Sequence, residues 1–186
     1  MNTIEKVREY VKEESEKDTN IFTDAYYTHI IPMVAYSKRL ARKIGADEEI
    51  VEIAAWLHDI GSLRGDYKNH HISGAKYAEE FLKKLGYPKD KIEKIKYCIL
   101  NHRGSVNGYR ETPEAKCIAS ADSMSHFNDI ASLLNLALVI RKLSVGDART
   151  FVRDKLQRSW EKMIPEAKEM VQERYEAAML LLNKEE

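Results

Sequence analysis

Apolar residues recur three and four positions apart along almost the whole chain, and this spacing is the strongest constraint on its fold. Such spacing places apolar side chains on one face of an α-helix. Ile50, Ile53, Ala54 and Leu57 form one such face. Alternation of apolar and polar residues over the length of a β-strand is missing from the sequence. The pattern therefore predicts an all-α protein.

Capping and turn residues set the expected helix boundaries. Pro32 should bend the second helix, Gly61 should end the third, and Thr112-Pro113-Glu114 should begin the helix that carries Asp122. Residues 103–111 should form a loop. We expect helices near residues 4–11, 23–44, 47–61, 70–85, 90–102 and 112–143 (the last one broken), and two more that begin at Gly146-Asp147 and at Pro165.

Length and charge limit the kinds of protein this chain can be. A chain of 186 residues fits a single domain, residues 1–186. Lys and Arg together number 30, as do Asp and Glu, so no overall field attracts nucleic acid or an anionic membrane. The apolar runs are too short to span a membrane, the start is charged, and Cys98 and Cys117 are expected to be reduced core thiols. We therefore expect a cytoplasmic protein in which any attraction for an anionic ligand is local.

Histidine and aspartate side chains occupy positions that the apolar faces reserve for the core. His58, His102 and Asp122 each continue an apolar stripe in register, and His29 shares the inward face of its helix. Burying a carboxylate is costly unless it is paired or binds a metal. Asp59 lies about 100° further round an ideal helix than His58, and both can reach one ion at a helix end. Together these residues predict a metal site.

The chemistry of this set favours a divalent ion that accepts both nitrogen and oxygen ligands. Mn²⁺, Fe²⁺, Co²⁺, Ni²⁺ and Mg²⁺ are the candidates. Such an ion lowers the pKa of a bound water and leaves coordination positions open for a substrate oxygen. A single histidine on an apolar face is more often a hydrogen-bonded core residue, so the prediction depends on the combination.

These motifs resemble those of a known superfamily. His29, the run Ala-Ala-Trp-Leu-His-Asp-Ile-Gly at 54–61, and Asp122 in Ile-Ala-Ser-Ala-Asp resemble the H…HD…D signature of the HD-domain metal-dependent phosphohydrolases. His-His-Ile-Ser-Gly-Ala at 70–75 and Asn-His-Arg-Gly at 101–104 resemble two further histidine motifs of members with larger metal sites. The resemblance covers about residues 21–143 and implies an all-helical HD-type core. Residues 147–186 would be a C-terminal helical extension, either a packed cover or a homodimer surface.

The resemblance also implies a ligand set. It assigns one metal ion to His29, His58, Asp59 and Asp122, and His70 and His102 would be added in members with a second ion, which gives one or two ions per chain. The local apolar stripe favours His71 as the inward residue instead of His70. The motif spacing selects His70, because the motif's histidine stands four residues before Gly74. His71 would then pack outward or support the substrate site.

Two arginines are candidate phosphate contacts. Many relatives have a lysine shortly after the HD pair, whereas this chain has Ser62-Leu63-Arg64. Arg64 would take over the phosphate contact, or the contact would be absent. Arg103 follows His102, and its planar guanidinium also suits phosphate. Solvated loop charges are an equally good interpretation of both arginines. His126, one turn after Asp122, is expected to be a core residue or to support a ligand.

The function expected from these features is hydrolysis of a small phosphorylated substrate, plausibly a nucleotide, by metal-activated water. Asp59 and Asp122 would act first as ligands, and either would also orient the attacking water. One alternative is a di-iron HD-type oxygenase, since a minority of HD proteins use the six-ligand site in that way. The other is a non-catalytic metal- or nucleotide-binding module, and the complete ligand set argues against it.

Overall fold

The computed structural model describes residues 1–22, 24–103 and 110–183 of the chain. Within these ranges the regular structure is helical and no strand occurs, which confirms the all-α prediction. The helices are α1 (Thr3–Ser15), α2 (Ile31–Ile44), α3 (Glu48–Leu57), α4 (Ile60–Leu63), α5 (His70–Lys84), α6 (Lys89–Asn101), α7 (Pro113–Ser125), α8 (Ile130–Asn135), α9 (Val145–Lys162) and α10 (Pro165–Leu182). Two π-helical turns, Tyr26–Ile30 and Leu136–Ile140, adjoin α2 and α8.

Side-chain caps explain why several helices begin where they do. Asp47 accepts hydrogen bonds from the backbone N–H groups of the first turn of α3. Thr112 does the same for α7, and Ser144 for α9. Each cap satisfies a backbone donor that has no partner inside the helix. Gly45 and Gly86 follow α2 and α5 with positive φ values of 70° and 69°, which glycine adopts at little cost.

The end of α3 differs from the expectation. The helix ends at Leu57, and the break falls at Asp59, with φ −107° and ψ 13°, before the chain reaches Gly61. Gly61 instead lies inside the short helix α4. A Cβ on Gly61 would lie 2.5 Å from the backbone oxygen of His70, so this glycine allows α4 and α5 to approach closely. The prediction that Gly61 ends the helix was wrong, because this glycine serves packing.

The predicted second helix begins with a wider turn. Tyr26–Ile30 is π-helical and runs directly into α2, with Pro32 in the first turn of that helix. The expected start at Thr23 lies outside the described residues. π-Helical turns inside helices are frequent at functional sites, and this one carries His29.

The core is formed where α2, α3, α6 and α7 meet, and α5 packs on α4 and α6. Its largest fully buried side chains include Leu40, Ile53, Leu57 and Ile95. α9 packs on α7 and on α10, so the additional C-terminal helices cover the core. The two cysteines are buried and free. No helix among the described residues has the length and apolar character needed to cross a membrane.

Candidate metal centre

Separate structural elements bring the predicted ligands to one place. His29 lies on the π-helical turn, His58 and Asp59 in the break after α3, and Asp122 within α7. His70 is the first residue of α5, and His102 follows the last residue of α6. Except for the fully buried His58, these residues line a cavity of about 510 Å³. The break at Asp59 turns both members of the His-Asp pair toward the same point.

A first cluster contains His29, His58, Asp59 and Asp122. The Nε2 atoms of His29 and His58 are 3.0 Å apart, and each lies 3.5 Å from Asp59 Oδ2. Asp122 Oδ1 lies 3.6 Å from His29 Nε2. His29 thus links Asp122 to His58 and Asp59, and its Nε2 belongs to two groups of possible ligands, one with His58 and Asp59 and one with Asp122 and His126.

A second cluster contains Asp59, His70 and His102. The Nε2 atoms of His70 and His102 are 3.2 Å apart, and they lie 3.4 Å and 3.8 Å from Asp59 Oδ1. Asp59 thus directs one carboxylate oxygen at each cluster. This arrangement is suited to a carboxylate that bridges two ions.

The atomic separations fit metal binding. Two ligand atoms about 2.0–2.3 Å from one ion, at angles of about 90–110°, lie about 2.8–3.8 Å apart. All the separations given above fall in this range, and both clusters combine donors that divalent transition metals accept. The described residues include three groups that could hold a metal: His29, His58 and Asp59; His29, Asp122 and His126; and Asp59, His70 and His102. That His29, His58, Asp59, Asp122, His70 and His102 bind one stays a prediction.

Hydrogen bonds orient the histidine rings. Nδ1 of His58, His70 and His102 lies 2.6–2.8 Å from the backbone oxygen three residues earlier, so Nδ1–H donates and Nε2 is left as the acceptor. His29 Nδ1 lies 2.8 Å from Ser125 Oγ, and that hydroxyl donates to Asp122 O. In all four rings the Nε2 lone pair faces the clusters.

The electrostatics keep most of the ligands in the protonation state that metals require. Burial lowers the pKa of His58, and it lowers that of His102 to about 3, so both rings are neutral near pH 7. Burial alone would raise the pKa values of Asp59 and Asp122, but nearby histidines and Lys162 hold them well below the ordinary value. For His29, burial is outweighed by the carboxylates of Asp59 and Asp122, and its pKa is raised. A metal ion must therefore displace a proton from His29 at mildly acidic pH.

Two further residues contact Asp122. His126 Nε2 lies 3.9 Å from Asp122 Oδ1, and its Nδ1 lies 3.0 Å from Ser159 Oγ. Lys162 Nζ lies 2.7 Å from Asp122 Oδ2 and donates to His102 O at 3.1 Å. His126 is thus placed beside the ligands, and Lys162 balances the charge of Asp122.

Comparison with known proteins decides the family. The HD domain family matches residues 26–126, which is more than half of the chain and contains every residue of both clusters. This chain belongs to the HD domain family. The match begins at the π-helical turn and ends one residue after α7, so the C-terminal helices of this HD protein lie outside the matched region.

Two relatives are similar over part of the sequence. The HD protein is 31% identical over 118 residues to ribonuclease Y from Fusobacterium nucleatum. The aligned stretch is 62% of this chain and 21% of ribonuclease Y. It is 38% identical over 77 residues to an uncharacterized protein from Clostridium beijerinckii. This aligned stretch is 39% of this chain and 48% of the Clostridium protein. The chain therefore covers about a fifth and about half of these two relatives.

Solved structures share the fold over nearly the whole chain. Bacillus subtilis YpgQ superposes with a TM-score of 0.73 at 19% identity, covering 96% of this chain and 91% of YpgQ. The complex of YpgQ with ADP gives a TM-score of 0.70 at 22% identity, covering 96% of this chain and 93% of the YpgQ chain. A predicted HD superfamily hydrolase from an uncultured Thermotogales bacterium gives a TM-score of 0.57 at 21% identity, covering 91% of this chain and 89% of the Thermotogales chain. The HD fold with its C-terminal helices thus has solved counterparts.

The structure separates the two adjacent histidines. His70 lines the cavity and belongs to the second cluster. His71 is buried outside the cavity lining, and its Nδ1 has no hydrogen-bond partner among the described residues. The geometry gives no support to His71 as a substrate contact.

The two candidate arginines also differ in position. Arg103 lines the cavity, and its Nη1 donates to Lys68 O at 2.5 Å. Arg64 lies outside the lining: its Nη1 is 3.2 Å from Tyr10 Oη, and its guanidinium lies 4.0 Å from the centre of the Tyr77 ring. The expected phosphate contact by Arg64 does not fit this placement, because the turn after α4 directs the side chain toward α1. Residues 104–109 of the expected loop lie outside the described part of the chain.

Sequence reasoning missed the cavity wall that α9 provides. Lys155, Arg158 and Lys162 line the cavity, together with Arg141 from the end of the second π-helical turn. The signal was present, because positions 155, 158 and 162 follow helical spacing on one face. It was not recognised because the charged faces of these helices were interpreted only as a cover or a dimer surface.

Proposed function

We propose that this HD protein is a metal-dependent phosphohydrolase that acts on a small phosphorylated substrate, a nucleotide. The observation that carries the proposal is the convergence of two ligand clusters on Asp59 at the cavity wall. Two ions a few ångströms apart suit the displacement of a phosphoryl group, because they can act on both the attacking and the leaving oxygen.

The relatives favour this reaction class. YpgQ has been solved with ADP, and the Thermotogales structure is described as a predicted hydrolase. Ribonuclease Y is named for hydrolysis of phosphodiester bonds in RNA. Each of these indications concerns another protein, and their common element is a phosphorylated ligand.

Metal ions at these clusters would lower the pKa of a bound water and polarise a phosphoryl oxygen. The protein's own residues would hold and orient the reactants. Asp59 would fix the position of the two clusters relative to each other, because each of its oxygens belongs to one of them. Ser125 would hold the His29 ring with Nε2 pointing inward. Asp122, beside the neutral ring of His126, would help to orient the attacking water.

The cavity has features that suit a nucleotide. Its volume of about 510 Å³ is typical of small-molecule sites. The rings of Phe22 and Tyr67 line it and offer faces on which a base can stack. Arg103, at the edge of the second cluster, would contact phosphate oxygens.

The direct test replaces the shared carboxylate. Asp59→Asn is nearly isosteric but removes the negative charge that both clusters use. We expect metal-loaded wild-type protein to release phosphate or pyrophosphate from at least one member of a nucleotide panel, and chelator to abolish the release. Asp59→Asn should lose at least 100-fold in kcat/KM, whereas Asp18→Asn, a surface carboxylate outside the cavity, should keep full activity.

The same assay distinguishes a phosphohydrolase from the alternative, a di-iron oxygenase. A bridging carboxylate between two histidine clusters also suits a di-iron centre. If iron-loaded protein consumes O₂ with an oxidisable organic substrate and releases neither phosphate nor pyrophosphate across the panel, the phosphohydrolase proposal is wrong. Wild-type protein that binds metal but shows neither activity would indicate a binding module.

A further inference from the structure

The wall of the cavity formed by α9 is strongly basic. Lys155, Arg158 and Lys162 lie three and four residues apart and all line the cavity. Arg141, beside this wall, adds a fourth positive charge. Since the chain as a whole carries no net charge, this concentration of cations is a local feature.

Most of these cations have no acidic partner. Lys162 is paired with Asp122. Among the residues that the structure describes, the side chains of Lys155 and Arg158 make no hydrogen bond or ion pair, and the side chain of Arg141 makes only a cation–π contact, 4.5 Å from the centre of the Phe151 ring. Four carboxylates line the same cavity: Asp59 and Asp122 belong to the clusters, Asp129 caps α8, and the exposed Asp24 forms no ion pair with these cations.

Of the cations without an acidic partner, Lys155 says most about the ligand of this wall. Its partly buried side chain lines the cavity together with His29, Asp59 and Asp122. Burial lowers its pKa, and the charges of Asp122 and Asp59 offset part of this effect. Metal ions bound at the clusters would neutralise Asp59 and Asp122, and an anionic ligand would then supply the counter-charge for Lys155. Arg158 and Arg141 continue the positive charge along the wall.

We propose that Lys155, Arg158 and Arg141 form a subsite for additional phosphoryl groups, so that the substrate carries two or more linked phosphates. This inference rests on the proposed function and narrows its substrate class to nucleoside di- or triphosphates. One phosphoryl group would lie at the clusters, and the groups joined to it would extend along α9. A monophosphate would leave most of these cations unpaired.

The subsite can be tested by binding, without catalysis. Metal-free protein is titrated calorimetrically with inorganic tripolyphosphate and with orthophosphate. We expect tripolyphosphate to bind at least tenfold more tightly. Lys155→Met and Arg158→Gln should each remove most of that difference, while Arg153→Gln should preserve it, because Arg153 lies on the same helix, pairs with Asp154 and does not line the cavity.

Folding is checked in parallel. Lys155→Met should unfold within a few degrees of wild type, because it removes a partly buried cation that forms no ion pair among the described residues. Equal affinity for the two anions, or an equal loss in Arg153→Gln, would overturn the proposal. So would preferential binding of a single-stranded RNA oligonucleotide with no preference for tripolyphosphate, which would point to a nucleic-acid ligand.

A catalytic measurement separates this inference from the proposed function. With metal-loaded protein, Lys155→Met and Arg158→Gln should lower kcat/KM about tenfold more for a nucleoside triphosphate than for a monophosphate. Wild-type protein that hydrolyses monophosphates at least as well as triphosphates would contradict the subsite while supporting the phosphohydrolase. Protein that hydrolyses no phosphate but prefers tripolyphosphate in the calorimeter would contradict the proposed function and keep the subsite.

Discussion

Asp122 divides its two carboxylate oxygens between a cation and a histidine: Lys162 Nζ lies 2.7 Å from Oδ2, and His29 Nε2 lies 3.6 Å from Oδ1. The ion pair is largely buried, with side-chain exposures of 9% for Lys162 and 12% for Asp122. Lys162 therefore compensates the charge of a predicted metal ligand. A helix outside the region matched by the HD family is thereby linked to the metal centre.

This pair gives a prediction about stability and metal binding together. Lys162→Met should destabilise the metal-free protein by about 3 kcal/mol, because it leaves Asp122 buried without a counter-charge. Metal should restore much of that loss, since a bound ion supplies the missing positive charge. Thermal unfolding with and without Mn²⁺ measures both effects, and the increase in Tm on adding metal should be larger in the variant than in wild type.

A control for this prediction is available elsewhere in the fold. Lys38 and Glu52 form an ion pair at 2.7 Å outside the cavity. Lys38→Met should show the same metal-induced increase in Tm as wild type. If Lys162→Met also behaves like wild type, Lys162 does not compensate a metal ligand.

Ser125 provides a second prediction, about ligand orientation. Its hydroxyl accepts a hydrogen bond from His29 Nδ1–H and donates one to Asp122 O. Ser125→Ala leaves the ring free to rotate and to change tautomer, so metal affinity should fall about 10- to 100-fold. Ser123→Ala is the matched control, because Ser123 is buried on the same helix and its hydroxyl has no partner among the described residues. Equal metal affinity in the two variants, measured by competition with a chelating dye, would contradict this role.

Gly61 provides a third prediction, about packing. A Cβ added there would lie 2.5 Å from His70 O and 2.8 Å from His70 Cα, and backbone atoms cannot move without shifting α5. Gly61→Ala should destabilise the protein by roughly 1–3 kcal/mol and weaken metal binding, because His70 moves with α5. Gly146→Ala meets open space within α9 and should be neutral or stabilise by up to about 1 kcal/mol. Chemical denaturation of both variants measures the difference, and similar free energies of unfolding would refute the packing role.

The sequence was enough to predict the all-helical fold, because helical spacing of apolar residues runs through most of the chain. The same spacing located His58, His102 and Asp122, since a polar residue in an apolar stripe is conspicuous. It could not locate the break at Asp59, which depends on tertiary contacts between α4 and α5. It left the role of Arg64 open, because the direction of a side chain after a turn depends on its aromatic neighbours on other helices.

The choice between His70 and His71 shows a related limit. At a helix start the register is least reliable, so the local stripe favoured the wrong neighbour for the cavity. The motif resemblance selected the residue that lines it. The basic wall of α9 could have been read from spacing alone, but which face of α9 is turned inward is decided by its packing on α7.

The buried histidines provide a fourth prediction, about pH. The pKa values of His58, His102 and His126 are lowered by burial, so the unfolded chain binds protons that the folded protein does not. Stability of the metal-free protein should therefore fall as pH drops below about 6.5, and the contribution of His102 should continue to about pH 3. The raised pKa of His29 acts in the opposite direction and cancels part of the effect.

The variant His102→Asn isolates one of these contributions. Each such histidine changes the free energy of unfolding by roughly 1.4 kcal/mol per pH unit in this range. The free energy of unfolding of metal-free protein, measured by denaturant unfolding, should therefore change less between pH 6 and pH 5 in the variant than in wild type, by roughly 1.4 kcal/mol per pH unit. Wild-type stability that stays constant from pH 7 to pH 5 would contradict the neutral, buried state of these rings.

The central claim is that two metal sites sharing Asp59 perform phosphohydrolysis. The most direct measurement titrates metal-free protein with Mn²⁺ and records bound metal and product release from a nucleoside triphosphate in the same samples. We predict two equivalents bound per chain in wild type and one in His102→Ala, with product release that rises with occupancy and is lost in the variant. Product release from protein held free of metal by chelator, or no release when both equivalents are bound, would contradict the claim.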